Sequence, residues 1–496
     1  MNQKNSSAPA SGSIFFSTLD TVLFIVVFMV ALASGPQMLS IDSDLGRHLT
    51  IGNYILDHRI IPTHDLFSHT LSSQSRPPYE WLSQIIFALV NRLLGLDGTV
   101  FFTAVTLAVI FTLTSIYANR RSRSPIIAFA ITLLAMGASS VHWLPRPHIF
   151  TFLLLIVWVE NLEQAINGKA VKLFTFFLLM LFWANLHGGF VFGVLAWGAY
   201  FAGWVWDRWR NKTDPKTGWL FVKIGFVSLA ASVMTPDLWH NWEAVLNNRS
   251  SFILSRTAET MPPDLTSSSF FPFTILLLLT VILYLLNYRS VSARHYFLLI
   301  GLGGTSLLIS RNIPLFVIVC VPIIASLAKT SLARINDWEQ IEKRFARFGS
   351  TTRWGIPAIA VIVMAVLFFA YRSNTRQNAF FQFDPHVFPV QAMDWLEYHP
   401  QSGRMFNEFN WGGYILYRAW PREQVFLDSQ SDFYGEPLMR EYDQVMSVRG
   451  DWELVLQKYQ VKWVIISFTA PLAEELKTQG WETAYEDETS IILVRP

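Results

Sequence analysis

Long apolar segments separated by short polar ones fill the first three quarters of the chain. An apolar helix needs about 20 residues to cross the roughly 30 Å hydrocarbon core of a bilayer. Several of these segments approach that length, so the pattern predicts a polytopic α-helical membrane protein. The twelve apolar segments cover residues 19–39, 81–96, 99–118, 125–141, 148–159, 171–186, 190–205, 219–234, 270–286, 296–309, 313–328 and 354–371.

The charges between these segments predict the orientation of the chain. Lys and Arg concentrate in every second connection, and such loops are typical of the cytoplasmic side. The sequence after residue 371 is therefore predicted to lie outside the cytoplasm. The basic residues used here are Arg120, Arg121, Arg123, Lys169, Lys172, Arg208, Arg210, Lys212, Lys216, Arg289, Arg294, Lys329, Arg334, Lys343, Arg344, Arg347 and Arg353.

Segment 81–96 is the weakest candidate for a span. At 1.5 Å per residue its length is only about 24 Å, and Asn91 and Arg92 interrupt it. We therefore predict an interfacial helix there, about eleven spans in total, and a first external loop over residues 41–98. The alternative is an outside N-terminus with twelve spans, which would place that loop in the cytoplasm. Lys4 is too weak a signal to exclude it.

Composition supports a membrane protein with an appended soluble part. Of the 496 residues, 52% are hydrophobic and only 15% are charged, whereas soluble proteins have about a quarter charged residues. The net charge of +2 gives no electrostatic reason to expect a nucleic-acid partner. The single Cys320 excludes an intramolecular disulfide. Residues 1–18 are predicted to be disordered, and segment 19–39 to be a retained membrane anchor.

Ionisable residues collect in the loops predicted to be external. Such groups are costly at membrane depth and usually face a cavity or a charged partner. A lipid phosphate is a natural partner for Arg and His, so these loops predict a binding site at the outer face. The residues are Asp42, Asp44, Arg47, His48, Asp65, Glu80, His142, Arg146, His148, His187, Asp237, His240, Glu243, Glu259, Asp264 and Arg311.

Asp44 is the leading candidate for catalysis. It precedes an amphipathic segment, 45–57, and could simply cap that helix. Alternatively it is a general base, because sugar transfer to a hydroxyl or amine needs a carboxylate that takes the proton of the acceptor. Arg47 and His48 follow on the first helical turn, where Arg47 could neutralise a phosphate or extend to the interface.

The other candidates are contacts to the substrate. Asp65 could stabilise a turn, Glu80 could start the next helix, and His187 could belong to a tight glycine turn. Arg311 lies in a predicted external corner between two spans, where the charge pattern predicts few basic residues. Its position there favours a role in phosphate binding. No HExxH-type spacing occurs, so no metal site is predicted and a divalent cation is not supported. The predicted binding residues are Arg47, His48, Asp65, Glu80, Arg146, His148, His187 and Arg311.

Residues 373–496 have the composition of a small extracytoplasmic α/β domain. Strands are predicted over 424–427, 461–467, 483–485 and 490–494, and helices over 389–398, 437–448, 452–459 and 471–478. Asp428 and Asp432 follow the first of these strands, where a turn-forming role is favoured over ligand binding.

These motifs resemble the GT-C superfamily of integral-membrane glycosyltransferases, in a bacterial branch. The similar features are a loop opening Asp44-Leu45-Gly46-Arg47-His48, the Glu80-Trp81-Leu82 helix start, the NLHGG and RNIP corners, and the tail motifs NWGGYILYRAWP and VFLDSQSDFY. The resemblance implies inverting transfer of a sugar from a polyprenyl-phosphate donor outside the cytoplasm. It also implies eleven spans over residues 19–372 and a catalytic carboxylate at Asp44. Relatives often have another acidic residue in the second external loop, where this chain has Arg146 and His148.

The hypothesis is therefore a multi-pass plasma-membrane or inner-membrane glycosyltransferase without a cofactor. Its partners would be membrane lipids, a polyprenyl-phosphate sugar and an acceptor whose chemistry the sequence leaves open. A transporter or flippase of lipid-linked saccharides would need polar residues along the spans, and these spans are strongly apolar. A non-catalytic protein of envelope-polysaccharide assembly is the other alternative.

Overall fold

The structure is a computed structural model. It describes residues 18–41, 43–210, 214–247, 251–255, 257–335, 337–346, 362–363 and 379–496. The predicted disordered segment 1–18 therefore lies outside the described residues except for Thr18, and so does the predicted span 354–371 except for two residues.

Helices make up the described chain as far as residue 346. Most begin at a Pro or at a short polar corner, as the apolar pattern predicts. They are α1 (Thr18–Ala33), α2 (Gly35–Ser40), α3 (Asp44–His58), α4 (Trp81–Ser122), α5 (Pro125–Ser139), α6 (His148–Ile166), α7 (Leu173–Leu186), α8 (Phe190–Trp209), α9 (Pro215–Ser232), α10 (His240–Asn247), α11 (Ser251–Leu254), α12 (Phe271–Leu286), α13 (Ala293–Leu298), α14 (Gly304–Leu308), α15 (Ile313–Leu332) and α16 (Trp338–Ala346).

Four described helical stretches are long and apolar enough to cross a membrane: Trp81–Ser122, Pro125–His142, His148–Ile166 and Ser310–Leu332. Three shorter apolar helices accompany them: Leu19–Ala33, Leu173–Leu186 and Phe271–Leu286. The structure thus confirms a helical protein with apolar spans. The count of eleven stays a prediction, because the last predicted span falls largely outside the described residues.

The predicted boundary between an interfacial helix and a span falls within α4. Gly95 has φ 68° and ψ −163°, a conformation that breaks the helix and that a residue with a Cβ rarely adopts. Before this break, Arg92 Nε donates to Asn53 Oδ1 at 2.6 Å and Arg92 Nη2 lies 2.7 Å from Asp57 Oδ1. The polar residues that interrupt segment 81–96 therefore fasten it to α3.

The C-terminal part is a four-stranded sheet with helices. Its strands are β1 (Arg404–Asn407), β2 (Val461–Ser467), β3 (Glu482–Glu486) and β4 (Ser490–Val494), in the order β1-β2-β4-β3. β1 is parallel to β2, and the other pairs are antiparallel. The helices are α17 (Val390–Tyr398), α18 (Gly412–Ala419), α19 (Ser431–Met446), α20 (Trp452–Lys458) and α21 (Pro471–Thr478).

The strand predicted over 424–427 does not form within this sheet. Instead, Val425 N donates to Phe67 O and His69 N donates to Val425 O, each at 3.1 Å. The extended segment therefore pairs with the first loop, far away in sequence. This contact brings residues 428–432 against the loop that contains Asp44.

α3 and α18 make an unusually close contact between the two parts of the chain. A Cβ added to Gly46 would lie 2.4 Å from Gly413 O, and one added to Gly413 would lie 2.2 Å from Ser43 O. Gly413 N also donates to Ser43 Oγ at 3.2 Å. Backbone therefore packs directly on backbone beside Asp44.

Candidate active site

A cavity of about 400 Å³ lies where the first loop, three helix corners and the C-terminal part meet. Part of its lining is apolar and includes Phe152, Val191, Phe192 and Leu315. The rest is polar and contains all the predicted binding residues except Asp65. The polar lining residues are Asp44, Arg47, His48, Tyr79, Glu80, His142, Arg146, His148, Thr151, His187, Thr257, Glu259, Arg311, Asn312, Ser429, Gln430, Ser431 and Asp432.

Asp44 is the first residue of α3, and Ser43 rather than Asp44 is its N-cap residue. The carboxylate lies 3.2 Å from Arg146 Nη1 and 3.3 Å from Arg47 Nη2, and Ser429 Oγ donates to it. Burial favours the neutral acid, but Arg146 and Arg47 outweigh it and hold the pKa of Asp44 well below its usual value. Asp44 is therefore ionised throughout the physiological range.

Arg47 connects this carboxylate to the C-terminal part. Its Nη1 donates to Gln430 Oε1 at 2.9 Å, and its Nε lies 3.8 Å from Asp428 Oδ1. Burial opposes the charge, but Asp44 and Asp428 raise the pKa of Arg47 above its ordinary value. The side chain is 6% exposed, so Arg47 lines the cavity from inside the protein instead of extending to a membrane interface.

Glu80 is a second carboxylate in a different electrostatic setting. It is the N-cap residue of α4, where its side chain makes no cap hydrogen bond. Its oxygens lie 3.9 Å from His48 Nδ1 and 3.8 Å from His187 Nε2, beyond hydrogen-bond distance. Burial raises the pKa of Glu80 to about 7, although Arg47 opposes this rise. Near neutral pH, Glu80 can therefore accept or release a proton.

His187 has a defined tautomer. Gly189 N donates to its Nδ1 at 3.0 Å, so Nδ1 is an acceptor and the ring proton of the neutral form is on Nε2, towards Glu80. Thr151 Oγ1 lies 2.8 Å from the same Nδ1. Burial lowers the pKa of His187 to about 3, so the ring stays neutral. The glycine turn thus orients a neutral hydrogen-bond donor into the cavity.

Arg146, His148 and Arg311 come from two corners between spans. Arg146 Nη1 lies 3.1 Å from Glu259 Oε2 as well as 3.2 Å from Asp44 Oδ2. His148 Nε2 lies 3.0 Å from His142 O. Arg311 lines the cavity, and it makes no ion pair with any residue that the structure describes. Of these two arginines, Arg146 is shared by two carboxylates and Arg311 is available for an anion.

Asp65 is the predicted binding residue that does not line this cavity. It is fully buried, accepts from Ser68 Oγ at 2.6 Å and lies 2.6 Å from Arg76 Nη1. Arg76 also contacts Asp428 Oδ2 at 3.0 Å. Asp65 thus supports the loop from behind. Of the other ionisable residues predicted to be external, Asp237, His240, Glu243 and Asp264 do not line the cavity, and Asp42 lies outside the described residues.

Residues 428–432 complete the site from the C-terminal part. Gln430 Oε1 accepts from Arg76 Nη2 at 2.7 Å, and Gln430 Nε2 donates to Tyr79 Oη at 3.1 Å. Tyr79 Oη donates to Asp432 Oδ2 at 3.2 Å. The aspartates after residue 427 were favoured as turn formers from the sequence. Their position after an extended run was the available signal for a ligand site.

Two carboxylates of the cavity are paired with the same arginine. The Asp44 and Glu259 oxygens face the cation of Arg146. In the described part of the chain, no group of three or more His, Cys, Asp or Glu residues is placed to hold a metal ion.

Similar proteins were found among solved structures. No family model and no curated protein matches the chain. The archaeal oligosaccharyltransferase AglB from Archaeoglobus fulgidus, in complex with an inhibitory peptide and a dolichol-phosphate, has a TM-score of 0.57 and 11% identity over 90% of this chain and 69% of that one. The same oligosaccharyltransferase tethered with an acceptor peptide containing the NVT sequon has a TM-score of 0.55 and 12% identity over the same shares.

ArnT from Cupriavidus metallidurans bound to undecaprenyl phosphate has a TM-score of 0.48 and 12% identity over 95% of this chain and 97% of that one. The AglB similarities, with TM-scores of 0.57 and 0.55, determine the fold. The chain therefore shares its fold with this oligosaccharyltransferase.

Proposed function

We propose that this protein transfers a sugar from a polyprenyl-phosphate donor to an acceptor, with inversion, on the extracytoplasmic face of the membrane. The observation that carries the proposal is the Asp44 carboxylate held between two arginines in a cavity whose lining is partly apolar. The AglB structure with a dolichol-phosphate supports the choice of lipid donor.

Arg146 and Arg311 are the proposed contacts to the donor phosphate. Both line the cavity, and guanidinium groups bind phosphate through paired charge-assisted hydrogen bonds. Phe152, Val191, Phe192 and Leu315 offer an apolar surface for the first part of the polyprenyl chain. Arg47 also faces this space, but its contacts to Asp44 and Gln430 make it the residue that orients the carboxylate.

Asp44 is the proposed general base. The acceptor oxygen or nitrogen attacks the anomeric carbon on the side opposite the phosphate. The bond between that carbon and the phosphate oxygen breaks, and its electron pair leaves with the polyprenyl phosphate. The acceptor proton passes to Asp44, which is ionised and ready to receive it. The low pKa keeps Asp44 ionised before each turnover, and Glu80 is a second carboxylate whose pKa of about 7 matches neutral pH.

The C-terminal part is proposed to close the cavity. Ser429 and Gln430 contact Asp44 and Arg47 directly, so displacement of residues 428–432 would change the position of the base. This arrangement favours a gating role in which the acceptor enters beside the C-terminal part.

Replacement of Asp44 tests the proposal. Purified full-length protein in nanodiscs is supplied with a panel of undecaprenyl-phosphate hexoses, and release of undecaprenyl phosphate is followed by mass spectrometry. Asp44→Asn should lower turnover about 10²- to 10⁴-fold, the range expected for loss of a general base. The fold should persist, because Arg146 keeps Glu259 and Arg47 keeps Asp428 and Gln430.

Asp264→Asn is the matched control. Asp264 belongs to another external loop, accepts from Thr266 and does not line the cavity. Its turnover should equal that of the wild type. Equal turnover in Asp44→Asn would remove Asp44 as the base. Binding of the lipid without release of its sugar in the wild type would favour a non-catalytic role.

A further inference from the structure

A second cavity, of about 800 Å³, lies between the end of α3, the first loop and the C-terminal part. Its volume is in the range of sites for small ligands. Among the described residues, it shares no lining residue with the cavity around Asp44. We call it the Trp420 groove, after the tryptophan in its wall.

Aromatic rings form one side of the Trp420 groove. Tyr54 and His58 lie one turn apart on α3 and stack with ring centroids 4.3 Å apart. Trp420 meets the Tyr54 ring edge-on, with centroids 5.7 Å apart, and both residues are partly exposed. Such rings present an apolar face together with a polar tip, which suits a ligand that is itself amphipathic.

The groove lining also contains His69 and Glu423, which can accept hydrogen bonds, beside the guanidinium groups of Arg404 and Arg422. His69 is 9% exposed and its Nε2 lies 2.8 Å from Met405 O, so Nε2 holds the ring proton and Nδ1 is an acceptor. This Nδ1 has no partner among the described residues. The Glu423 carboxylate also has no hydrogen bond or ion pair within the described part. An unpartnered buried acceptor is unfavourable, and a ligand with O–H donors would relieve it.

We propose that the Trp420 groove binds a saccharide chain, whose C–H faces stack on Trp420 and Tyr54 while its hydroxyls donate to His69 and Glu423. Saccharides combine apolar ring faces with many hydroxyl donors. These features match the aromatic rings and the hydrogen-bond acceptors of the groove. That this saccharide is the acceptor rests on the proposed function. Tyr54 follows Arg47 by two helical turns on the same side of α3, a rise of about 10 Å, so one extended chain could reach both cavities.

Saturation-transfer NMR tests the proposal directly. Full-length protein in detergent, without lipid donor, is titrated with chitotetraose and with maltotetraose. Saturation should pass to the ring C–H protons of at least one of these sugars. Trp420→Ala should weaken that binding about tenfold, and Glu423→Ala about threefold, as expected for loss of stacking and of one hydrogen bond.

Trp395→Ala is the matched control. Trp395 also stacks on a histidine one turn away, His399, with centroids 4.5 Å apart, but it does not line the groove. Its variant should bind like the wild type. Glu423→Ala, at a partly exposed position, keeps the test valid if Trp420→Ala misfolds.

The outcomes separate this proposal from the proposed function. Absence of saturation transfer to both sugars would disprove saccharide binding in the groove. Equal transfer in Trp420→Ala, Glu423→Ala and Trp395→Ala would disprove it as well. Saccharide binding that persists in Asp44→Asn, together with no sugar release from any lipid in the wild type, would overturn the transferase and leave the groove.

Discussion

Two partly buried clusters of charged side chains in this protein have different surroundings. The Asp44 cluster, formed by Asp44, Arg47, Arg146 and Glu259, lines a cavity. The Glu163 cluster joins four helices and lines neither the cavity around Asp44 nor the Trp420 groove. Its members are Glu163, Arg121, Tyr200, Arg294 and His295. Of the two clusters, the one beside open space is therefore the candidate for a functional site.

The Glu163 cluster is closed. Tyr200 Oη donates to Glu163 Oε2 at 2.7 Å, and Arg294 donates to both carboxylate oxygens at 2.9 and 3.3 Å. Arg121 and His295 lie 3.7 and 3.4 Å away. All four partners point at one carboxylate, so no acceptor is left for a ligand. We interpret this cluster as a structural connection between α4, α6, α8 and α13.

Removal of Glu163 should give the largest effect. Glu163→Ala leaves two buried arginines without their main partner, which should lower the free energy of unfolding by about 3–5 kcal/mol. Thermal unfolding in detergent measures this, and turnover should fall only in proportion to the folded fraction. A stable Glu163→Ala protein with no turnover would instead make this cluster part of the catalytic machinery.

Glu160→Ala is the control for that experiment. Glu160 is one turn earlier on α6 and its side chain is 13% exposed, against 12% for Glu163. Its contacts are Arg121 at 3.7 Å and the Gln164 amide at 3.1 Å. Its loss should change stability by less than about 1 kcal/mol. A similar loss of stability in Glu163→Ala and Glu160→Ala would mean that the contacts of Glu163 are not what stabilises this region.

A pH profile should distinguish the open cluster from the closed one. Since the pKa of Glu80 is about 7, only about a tenth of it is ionised at pH 6. Turnover that needs ionised Glu80 should therefore rise about tenfold between pH 6 and pH 8. Glu80→Gln should lose this acid limb whatever its residual rate. Persistence of the limb in Glu80→Gln would assign it to another group.

The same shift has a consequence for stability. The folded protein prefers protonated Glu80, so this group stabilises the fold below its usual pKa of 4.5, and that contribution is lost as the pH rises through about 7. His48→Gln is the control, since burial keeps the pKa of His48 well below its usual value and the ring neutral. Only Glu80→Gln should flatten the dependence of the melting temperature on pH.

Removal of divalent cations should have the smallest effect. The cavity carboxylates Asp44 and Glu259 face Arg146, so their negative charge is already compensated. Sugar release after treatment with EDTA should stay within about twofold of the untreated rate. Loss of release that Mg²⁺ or Mn²⁺ restores would show that the cavity recruits a cation together with its substrate.

Much of the helical architecture follows from local sequence. Apolar segments of nearly membrane length predict the helices directly. Pro or Gly marks where these helices begin or break, as at Pro125 and Gly95. β1 was missed because it has only four residues, one of them an exposed arginine. Segment 424–427 is extended, as its sequence pattern predicts, but it pairs with the first loop and not with the sheet.

The candidate site was predictable in part for the same reason. Asp44, Arg146, His187 and Arg311 lie at corners that the chain pattern reveals, and the structure brings all four to one cavity. Nothing in the sequence around Gln430 predicts that it belongs to the site. Its place beside Arg47 depends on packing between residues 383 positions apart, which a single sequence does not encode in any short pattern.

The contact between Gly46 and Gly413 limits how this protein can be re-engineered. With backbone against backbone, the spacing between Asp44 and Ser429 is set by the absence of two methyl groups. A chimera that takes its C-terminal part from a relative would keep this spacing only if both glycines are retained. The membrane part and the C-terminal part should therefore be exchanged as a matched pair.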